Sequence, residues 1–471
     1  MIALVTVLLT AIITLFVNLV NTKWSRPVAT LGLAVALGVC FYDFSNPYED
    51  ASEMLYFSHA STIFSGLTIL IGLILIGTSE YSITYAGKNR GDVYALMLFS
   101  ICGALILFAY SNLLMLFLGV EILSIPLYVL AGSDKDNLAS NESSLKYFLQ
   151  GAFATGILLF GIALVYGASG SFFIGGSKAN NIINYQLYSG GGLTMFNMGV
   201  FMMMFGLAFK IAAAPFHFWS ADVYEGAPDL ITSFMATVVK TAGIVAITIF
   251  LLSIGFLNKQ WEITFAIMAG LSLVVGNFSA LKQMSFKRTL AYSSISHAGY
   301  LMLGITINDP IIIPTLLFYL LAYSLSTLVL MIGMSWVAGH TGKHDFTAFN
   351  GLAKKHPFLA GLMAVAMLSM AGLPPLSGFF GKYFIFAEVF NQGALSKDGG
   401  FWWLVLVAAI NSVISIYYYF RIIIAMFFSP AISEEEVPAM PRVNLFVLGL
   451  MCLGLLLAPL FATQLYGLMF Y

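Results

Sequence analysis

The sequence predicts an all-α polytopic membrane protein of about fourteen transmembrane helices, built as two inverted five-helix repeats with helices 7 and 12 discontinuous. Three observations carry that expectation. The 471 residues are 60% hydrophobic and only 9% charged, against about 25% charged in soluble domains, so lipid rather than water surrounds most of the chain. Apolar runs of about 20 residues recur from end to end, each long enough to cross roughly 30 Å of hydrocarbon. Two runs are interrupted by proline and carry a lysine: Lys210 with Pro215, and Lys382 with Pro374 and Pro375.

The runs lie near 2–20, 27–43, 60–79, 94–110, 112–131, 145–169, 196–224, 228–252, 262–281, 288–307, 311–338, 357–391, 401–427 and 443–467. The first begins without a basic leader or a small-residue cleavage site, so it reads as a span rather than a removed signal. The fourth and fifth are joined at Tyr110-Ser111, which makes them a tight helical hairpin. The organisation is then an N-terminal three-helix segment (1–93), a first repeat of spans four to eight (94–252), a second, inverted repeat of spans nine to thirteen (253–427) and a C-terminal helix (428–471). The seventh and twelfth spans are an odd number of crossings apart, so their breaks run in opposite directions. Lys210 precedes its proline and Lys382 follows its own.

Loop charge orients the chain. Loops after odd-numbered spans hold Lys23, Arg26, Lys88, Arg90, Lys135, Lys146, Lys282, Lys287, Arg288, Lys343, Lys354, Lys355 and Arg442; those after even-numbered spans hold only Lys178, Lys259 and Lys397. Basic residues stay cytoplasmic, so both termini face outward. Glu49, Asp50 and Glu53 in an outer loop agree with this. Glu434-Glu435-Glu436 reads as a solvated cytoplasmic run.

Whole classes of function drop out. A net charge of -1 predicts no nucleic-acid partner. No loop is large enough for a soluble catalytic domain; the longest, about 170–195, is rich in Gly, Asn and Tyr. GxGxxG, Walker A, CxxC and HExxH patterns are absent, so no cofactor or metal is expected on this chain. Cys40, Cys102 and Cys452 lack metal or redox spacing and read as small hydrophobes.

What lipid does not explain is a set of charges. A charged side chain at the centre of a span costs about 2.5–3.5 kcal/mol on insertion scales and usually faces a polar pathway. Glu121, Lys210, Lys240 and Lys382 stand in that position; Arg421 lies nearer an end and can snorkel. Glu121 reads either as a proton-loading carboxylate or as half of a structural ion pair. Lys210 is its expected partner. Burial disfavours each charge alone and mutual attraction restores both, so such a pair responds to separation. Breaks such as that at Pro215 are tolerated only against protein or water. His217, just beyond it, is a relay or a hydrogen-bonded filler. His297, within KRTLAYSSISHAGY, belongs to a proton wire or to interhelical hydrogen bonding.

The motifs APFHFWSADVYEGAP, KRTLAYSSISHAGY and AGLPPLSGFFGK resemble those of the antiporter-like membrane subunits of respiratory complex I and the related Mrp-type cation/proton antiporters. The resemblance covers nearly the whole chain. A long C-terminal extension with a helix along the membrane, the mark of the largest such subunit, is not expected here. Lys382 stands where the middle-sized one has glutamate. SNESSLKYF, with Glu142 as a further candidate relay, resembles the N-type branch of bacterial NADH:quinone oxidoreductase. By that resemblance Glu121 and Lys210 are the fifth- and seventh-span charge pair, and Lys240 the eighth-span connecting lysine. His297 is then the tenth-span histidine, and Lys382 the terminal lysine.

The resemblance implies a proton pump module in the bacterial inner membrane, with both termini periplasmic. It would draw protons from the cytoplasm and be driven by quinone reduction elsewhere. NADH, FMN, iron–sulfur clusters and quinone would sit in partner subunits. The neighbours would be the small membrane subunits and a second antiporter-like subunit. The alternative is a subunit of an Mrp-type Na+/H+ antiporter.

Overall fold

Within lipid no water bonds the backbone, so N–H and C=O groups must pair inside each segment, and apolar runs become helices. The computed structural model describes residues 1–46, 54–80, 82–83, 86, 89–174, 192–254, 259–307, 309–395, 400–430 and 437–467. Glu49, Asp50, Glu53, Lys88, Lys178, Lys397 and the 434–436 glutamates lie outside the described residues. The helices are α1 (Ile2–Val20), α2 (Thr22–Ser45), α3 (His59–Thr78), α4 (Arg90–Leu107), α5 (Leu113–Ala131), α6 (Leu138–Ser169), α7 (Gly192–Lys210), α8 (Phe218–Gly226), α9 (Asp229–Phe234) and, after a π-helical turn at Met235–Val239, α10 (Lys240–Ile254). They continue as α11 (Lys259–Leu281), α12 (Phe286–Ile305), α13 (Ile312–Thr341), α14 (Leu352–Lys355), α15 (Pro357–Ala371), α16 (Ser377–Leu395), α17 (Trp402–Phe428), α18 (Arg442–Leu457) and α19 (Ala462–Gly467). Among the described residues the only β pairing is in isolated bridges.

Twelve helical stretches among the described residues are long and apolar enough to cross a membrane. Two of the fourteen expected spans are helical without being uninterrupted hydrocarbon. α12 carries the serines, tyrosines and His297, and the twelfth span is cut into α15 and α16. Other boundaries moved where polar turns extend an apolar run. α6 starts at Leu138 rather than 145, because Asn137 caps it by accepting from the Ala139 N–H. α2 starts at Thr22, with Pro27 inside it and the Asn21 side chain as cap.

The chain divides into two compact units. Unit 1 is Met1–Gly77, Ala86–Trp219 and Val238–Thr264; unit 2 is Thr78–Tyr85, Ser220–Thr237 and Phe265–Tyr471. The chain therefore leaves unit 1 just past the Pro215 break and returns within the π turn.

In unit 1 the loops after the second, fourth and sixth spans meet. Leu55 bridges Tyr110, and Asn112 bridges Phe173. The Tyr56 N–H donates to the Ala109 carbonyl at 2.6 Å and the Leu113 N–H to that of Phe172 at 2.8 Å. Successive spans crossing in alternation require this meeting. α6 and α7 pack with backbones nearly touching: a Cβ on Gly161 would lie 2.7 Å from the Gly199 carbonyl oxygen, and one on Gly199 the same distance from that of Gly161. Small residues permit such approach between helices in lipid.

In unit 2 the loops after the seventh, ninth and eleventh spans meet. Ser285 bridges Asp345, the Phe286 N–H donates to the His344 carbonyl at 2.8 Å, and Lys287 pairs with Asp229 at 2.9 Å. Arg421, expected as a snorkelling residue, donates to the carbonyl of Leu281, the last residue of α11, at 2.9 Å. A cation at a helix C-terminus is favourable. Cys40, Cys102 and Cys452 are buried free thiols.

Leucine at Gly161 or Gly199 overpacks the α6–α7 contact by about 1–3 kcal/mol or more. Less protein should accumulate in membranes, by quantitative immunoblot. Gly156→Leu, on the same helix with nothing within 4 Å, should accumulate normally.

Candidate functional site

The seventh span ends its first half at Lys210, five residues before Pro215. Sequence reasoning put this lysine near the middle of a helix; it is the last residue of α7. Ala212 takes φ of 55° and turns the chain away. The terminal carbonyls of α7 are met by neutral donors: Ala208 by the Ala213 N–H, and Phe209 by the Ala212 N–H and the Trp219 indole. Pro215 itself is exposed while Lys210 is 4% exposed.

The expected Glu121–Lys210 ion pair is not formed. The Lys210 ammonium donates to Ser124 Oγ at 2.8 Å and to the Tyr128 hydroxyl at 3.0 Å. Ser124 gives its own proton to the Val120 carbonyl, which leaves a lone pair for the lysine. Glu121, Ser124 and Tyr128 are spaced i, i+3, i+7 and share one face of α5. Lys210 thus meets the right face at its hydroxyls, with half-buried Glu121 one turn back on the same helix. Tyr128 is held edge-on by Tyr147, which stacks on Trp219.

Lys382 solves the same problem differently. α15 ends at Ala371, and Gly372 turns the chain with φ of 83°. The Gly372 and Leu373 N–H groups take the carbonyls of Leu368 and Ser369. Those of Met370 and Ala371 are taken by Lys382, at 3.1 and 3.2 Å, from the other side of the break. Ser412 Oγ accepts a third bond at 3.0 Å, and the ammonium lies 4.8 Å from the centre of the Tyr300 ring. A side chain at residue 372 would crowd the lysine: a Cβ there would sit 3.2 Å from Nζ.

His297 lies in a cage of tyrosines. Nδ1 is 2.7 Å from the Tyr319 hydroxyl and Nε2 is 3.2 Å from that of Tyr419. Tyr419 is in turn hydrogen-bonded to Ser293. A small cavity runs from His297 and Tyr319 to Ser326, Ser369 and Gly378 at the twelfth-span break. Ser326 Oγ donates to Ser369 Oγ at 3.1 Å, and Ser369 Oγ accepts from the Gly378 N–H.

The other expected residues are placed as follows. Lys240, 1% exposed, opens α10 directly after the π turn. Single π turns recur at functional sites. His217 is buried in the break, its ring 4.4 Å from that of Phe218. Glu142 is not buried with the others. It is 64% exposed in an i,i+4 ion pair with Lys146 at 2.6 Å, because the start of α6 is a solvated turn. Among the described residues no three His, Cys, Asp or Glu side chains are placed to hold a metal ion. Sequence reasoning missed Ser124, Tyr128, Ser412 and the tyrosine cage. Only the first two carried a signal, their helical spacing from Glu121.

A family model described as NADH:quinone oxidoreductase/Mrp antiporter, transmembrane, matches residues 110–415. NADH-quinone oxidoreductase subunit N of Cytophaga hutchinsonii is 40% identical over 373 residues, covering 79% of each chain. Subunit N of Flavobacterium johnsoniae is 39% identical over 78% of this chain and 80% of its own. A chain of respiratory complex I from Thermus thermophilus superposes with a TM-score of 0.82 at 33% identity, over 98% of this chain and 99% of that one. A chain of the Mrp complex from Dietzia sp. gives 0.82 at 19% identity, over 100% and 97%, and shares the fold.

Ser124→Ala or Tyr128→Phe removes an acceptor from a buried ammonium. Each should cost about 1.5–3 kcal/mol, the range for hydrogen bonds to charged groups. Lys210→Met removes the charge itself and should be neutral or stabilising. Thermal denaturation of the detergent-solubilised protein distinguishes the three.

Proposed function

The chain belongs to the family of NADH-quinone oxidoreductase N subunits, and on that premise we propose that it carries protons across the bacterial inner membrane through Glu121, Lys210, Lys240, His297 and Lys382. It is a multi-pass membrane protein and a subunit of a multi-subunit membrane complex. Protons pass from cytoplasm to periplasm, with both termini periplasmic. Quinone reduction in partner subunits drives the movement. Those partners hold NADH, FMN, iron–sulfur clusters and quinone. A second antiporter-like subunit and the small membrane subunits flank this one.

One observation carries the reading: each proline-broken span terminates a half-helix beside a buried ammonium, and the two ammoniums have different acceptors. Lys382 faces two backbone carbonyls and a hydroxyl. Backbone carbonyls at a helix end cannot rotate away, so this cation is fixed. Lys210 faces two side-chain hydroxyls, one helical turn from a carboxylate. Rotation of a flexible lysine by one turn of α5 exchanges neutral acceptors for Glu121. In low dielectric a carboxylate favours the ammonium far more than a neutral hydroxyl does, so the exchange bears directly on whether Lys210 keeps or yields its proton. The π turn before Lys240 and the break before Phe218 are the backbone irregularities that permit such a shift without unwinding a whole span.

The hydroxyl and imidazole chemistry around His297 serves the same purpose. An imidazole with a tyrosine on each nitrogen accepts a proton on one side and delivers one on the other. The Mrp-type reading has less support. The relatives near 40% identity are N subunits, whereas the Mrp complex is matched at 19%.

In complex reconstituted into vesicles, Lys210→Ala and Glu121→Gln should each reduce proton pumping strongly. Wild-type pumping in both would reject the pathway. Purification through a tag on this chain should bring down flavin and iron–sulfur subunits; an all-membrane complex would favour the Mrp alternative. A second expectation concerns Lys382. Gly372→Ala, which crowds it, should lower pumping more than it lowers the amount of assembled complex.

A further inference from the structure

The proposed pathway names no group that collects protons from water in unit 2, yet a cluster outside it has that form. His344 Nε2 lies 3.1 Å from Asp229 Oδ1, and the Lys287 ammonium lies 2.9 Å from the same oxygen. Lys287 also donates to the Ala227 carbonyl at 2.6 Å. Side-chain exposure falls stepwise, from 37% at His344 to 15% at Asp229 and 3% at Lys287. His344 lies in the loop after the eleventh span, Asp229 opens α9 after the seventh-span loop and Lys287 is in the first turn of α12 after the ninth-span loop, all on the side that the charge distribution makes cytoplasmic.

Two features separate this cluster from a mere clasp. An Asp229–Lys287 pair alone fastens the start of α9 to the base of α12; the imidazole ties in the segment after α13 and also brings a group that exchanges protons near neutral pH to the same carboxylate oxygen. The polar groups also continue inward. Lys287, Ser294 and His297 follow one face of α12, spanning ten residues or about 15 Å of helix rise. The Tyr323 ring of α13 is 5.0 Å from that of His297.

Resting on the function proposed above, we propose that His344 and Asp229 form a proton-uptake mouth that feeds His297. A proton from water binds His344 Nδ1, and the Nε2 proton passes to Asp229 Oδ1. The Lys287 ammonium at 2.9 Å favours the Asp229 anion, so the carboxylic acid forms only transiently; while it lasts, the hold on Lys287 is loosened. The same proton then leaves Asp229 inward and the carboxylate is restored. One proton enters and one leaves; His344 is left as its Nδ1–H tautomer and returns to Nε2–H by exchanging that proton with water or by turning its ring before the next cycle. The charges facing this site are Lys287 and Arg288 of α12, Asp222 and Glu225 of α8, and Lys343 and Asp345 beside His344. Arg288 binds Glu225 at 2.6 Å and Asp222 at 3.2 Å, so those carboxylates are engaged and leave Asp229 to His344.

The test uses the assembled complex in vesicles. Proton pumping per electron is measured between pH 6 and 8.5 for Asp229→Asn, Asp229→Glu and His344→Ala. Asp229→Asn should pump several-fold less than wild type, most severely at alkaline pH where protons are scarce. Asp229→Glu should restore pumping, and added imidazole should rescue His344→Ala. Wild-type pumping and pH profile in Asp229→Asn would overturn the assignment. So would a loss matched by loss of assembled complex and unmoved by imidazole, which is the signature of a clasp. Lys210→Ala in the same preparation keeps the two readings apart. If it and Glu121→Gln both pump normally, the proposed function fails; if they fail to pump while Asp229→Asn is normal, only the uptake mouth is rejected.

Discussion

A lysine buried in a lipid-spanning protein must be met by oxygen, and the backbone of an intact helix offers none, because its carbonyls are already bonded along its axis; what remains are side-chain hydroxyls, as on α5, or carbonyls freed by a break. Breaking the helix releases carbonyls at one end and collects the negative end of the backbone dipole there. The rest of this structure depends on that exchange. α15 ends so that Met370 and Ala371 present free carbonyls to Lys382. α7 ends at Lys210 itself. The prolines, exposed at both breaks, are the means of stopping the helix; the lysines are the reason it is worth stopping.

The two halves use the device unequally. At Lys382 the freed carbonyls and the ammonium satisfy each other, which makes a closed and rigid arrangement around Gly372. At Lys210 the freed carbonyls go to backbone N–H groups and the Trp219 indole, so the ammonium must look to a neighbouring helix. A charge held by side chains on another element is a charge that can be let go. An inverted repeat alone would make the breaks alike; these two differ in what meets the ammonium.

Much of this was legible in the sequence, for physical reasons. Span positions follow from hydrocarbon length, and α1 begins and ends where its apolar run does. Lys210, Lys240 and Lys382 announced themselves because lipid tolerates so few charges. What failed was pairing. Glu121 is the obvious carboxylate for Lys210, and it lies on the correct face, but a helical face offers a partner every turn and sequence alone does not fix the register between α5 and α7. The tyrosines around His297 come from α13 and α17, and in so aromatic a chain they do not stand out. The π turn before Lys240 left no mark at all, since it is set by packing rather than by composition. Glu142 misled because the apolar run of its helix begins later than the helix itself.

The path of the backbone between Trp219 and Val238 has a consequence of a different kind. Those eighteen or so residues are covalently part of the first half and are folded as part of the second. Their side chains, Asp222, Glu225 and Asp229 among them, answer to Lys287, Arg288 and His344. A cut near residue 252, where the sequence reading expects one repeat to end, would therefore part these residues from the unit they fold with. A fragment ending there would carry a hairpin whose partners it lacks, and the complementary fragment would expose the basic residues that hairpin neutralises. Residues 220–237 and their partners in unit 2 must therefore tolerate one another's substitutions, although the chain between them crosses that expected boundary.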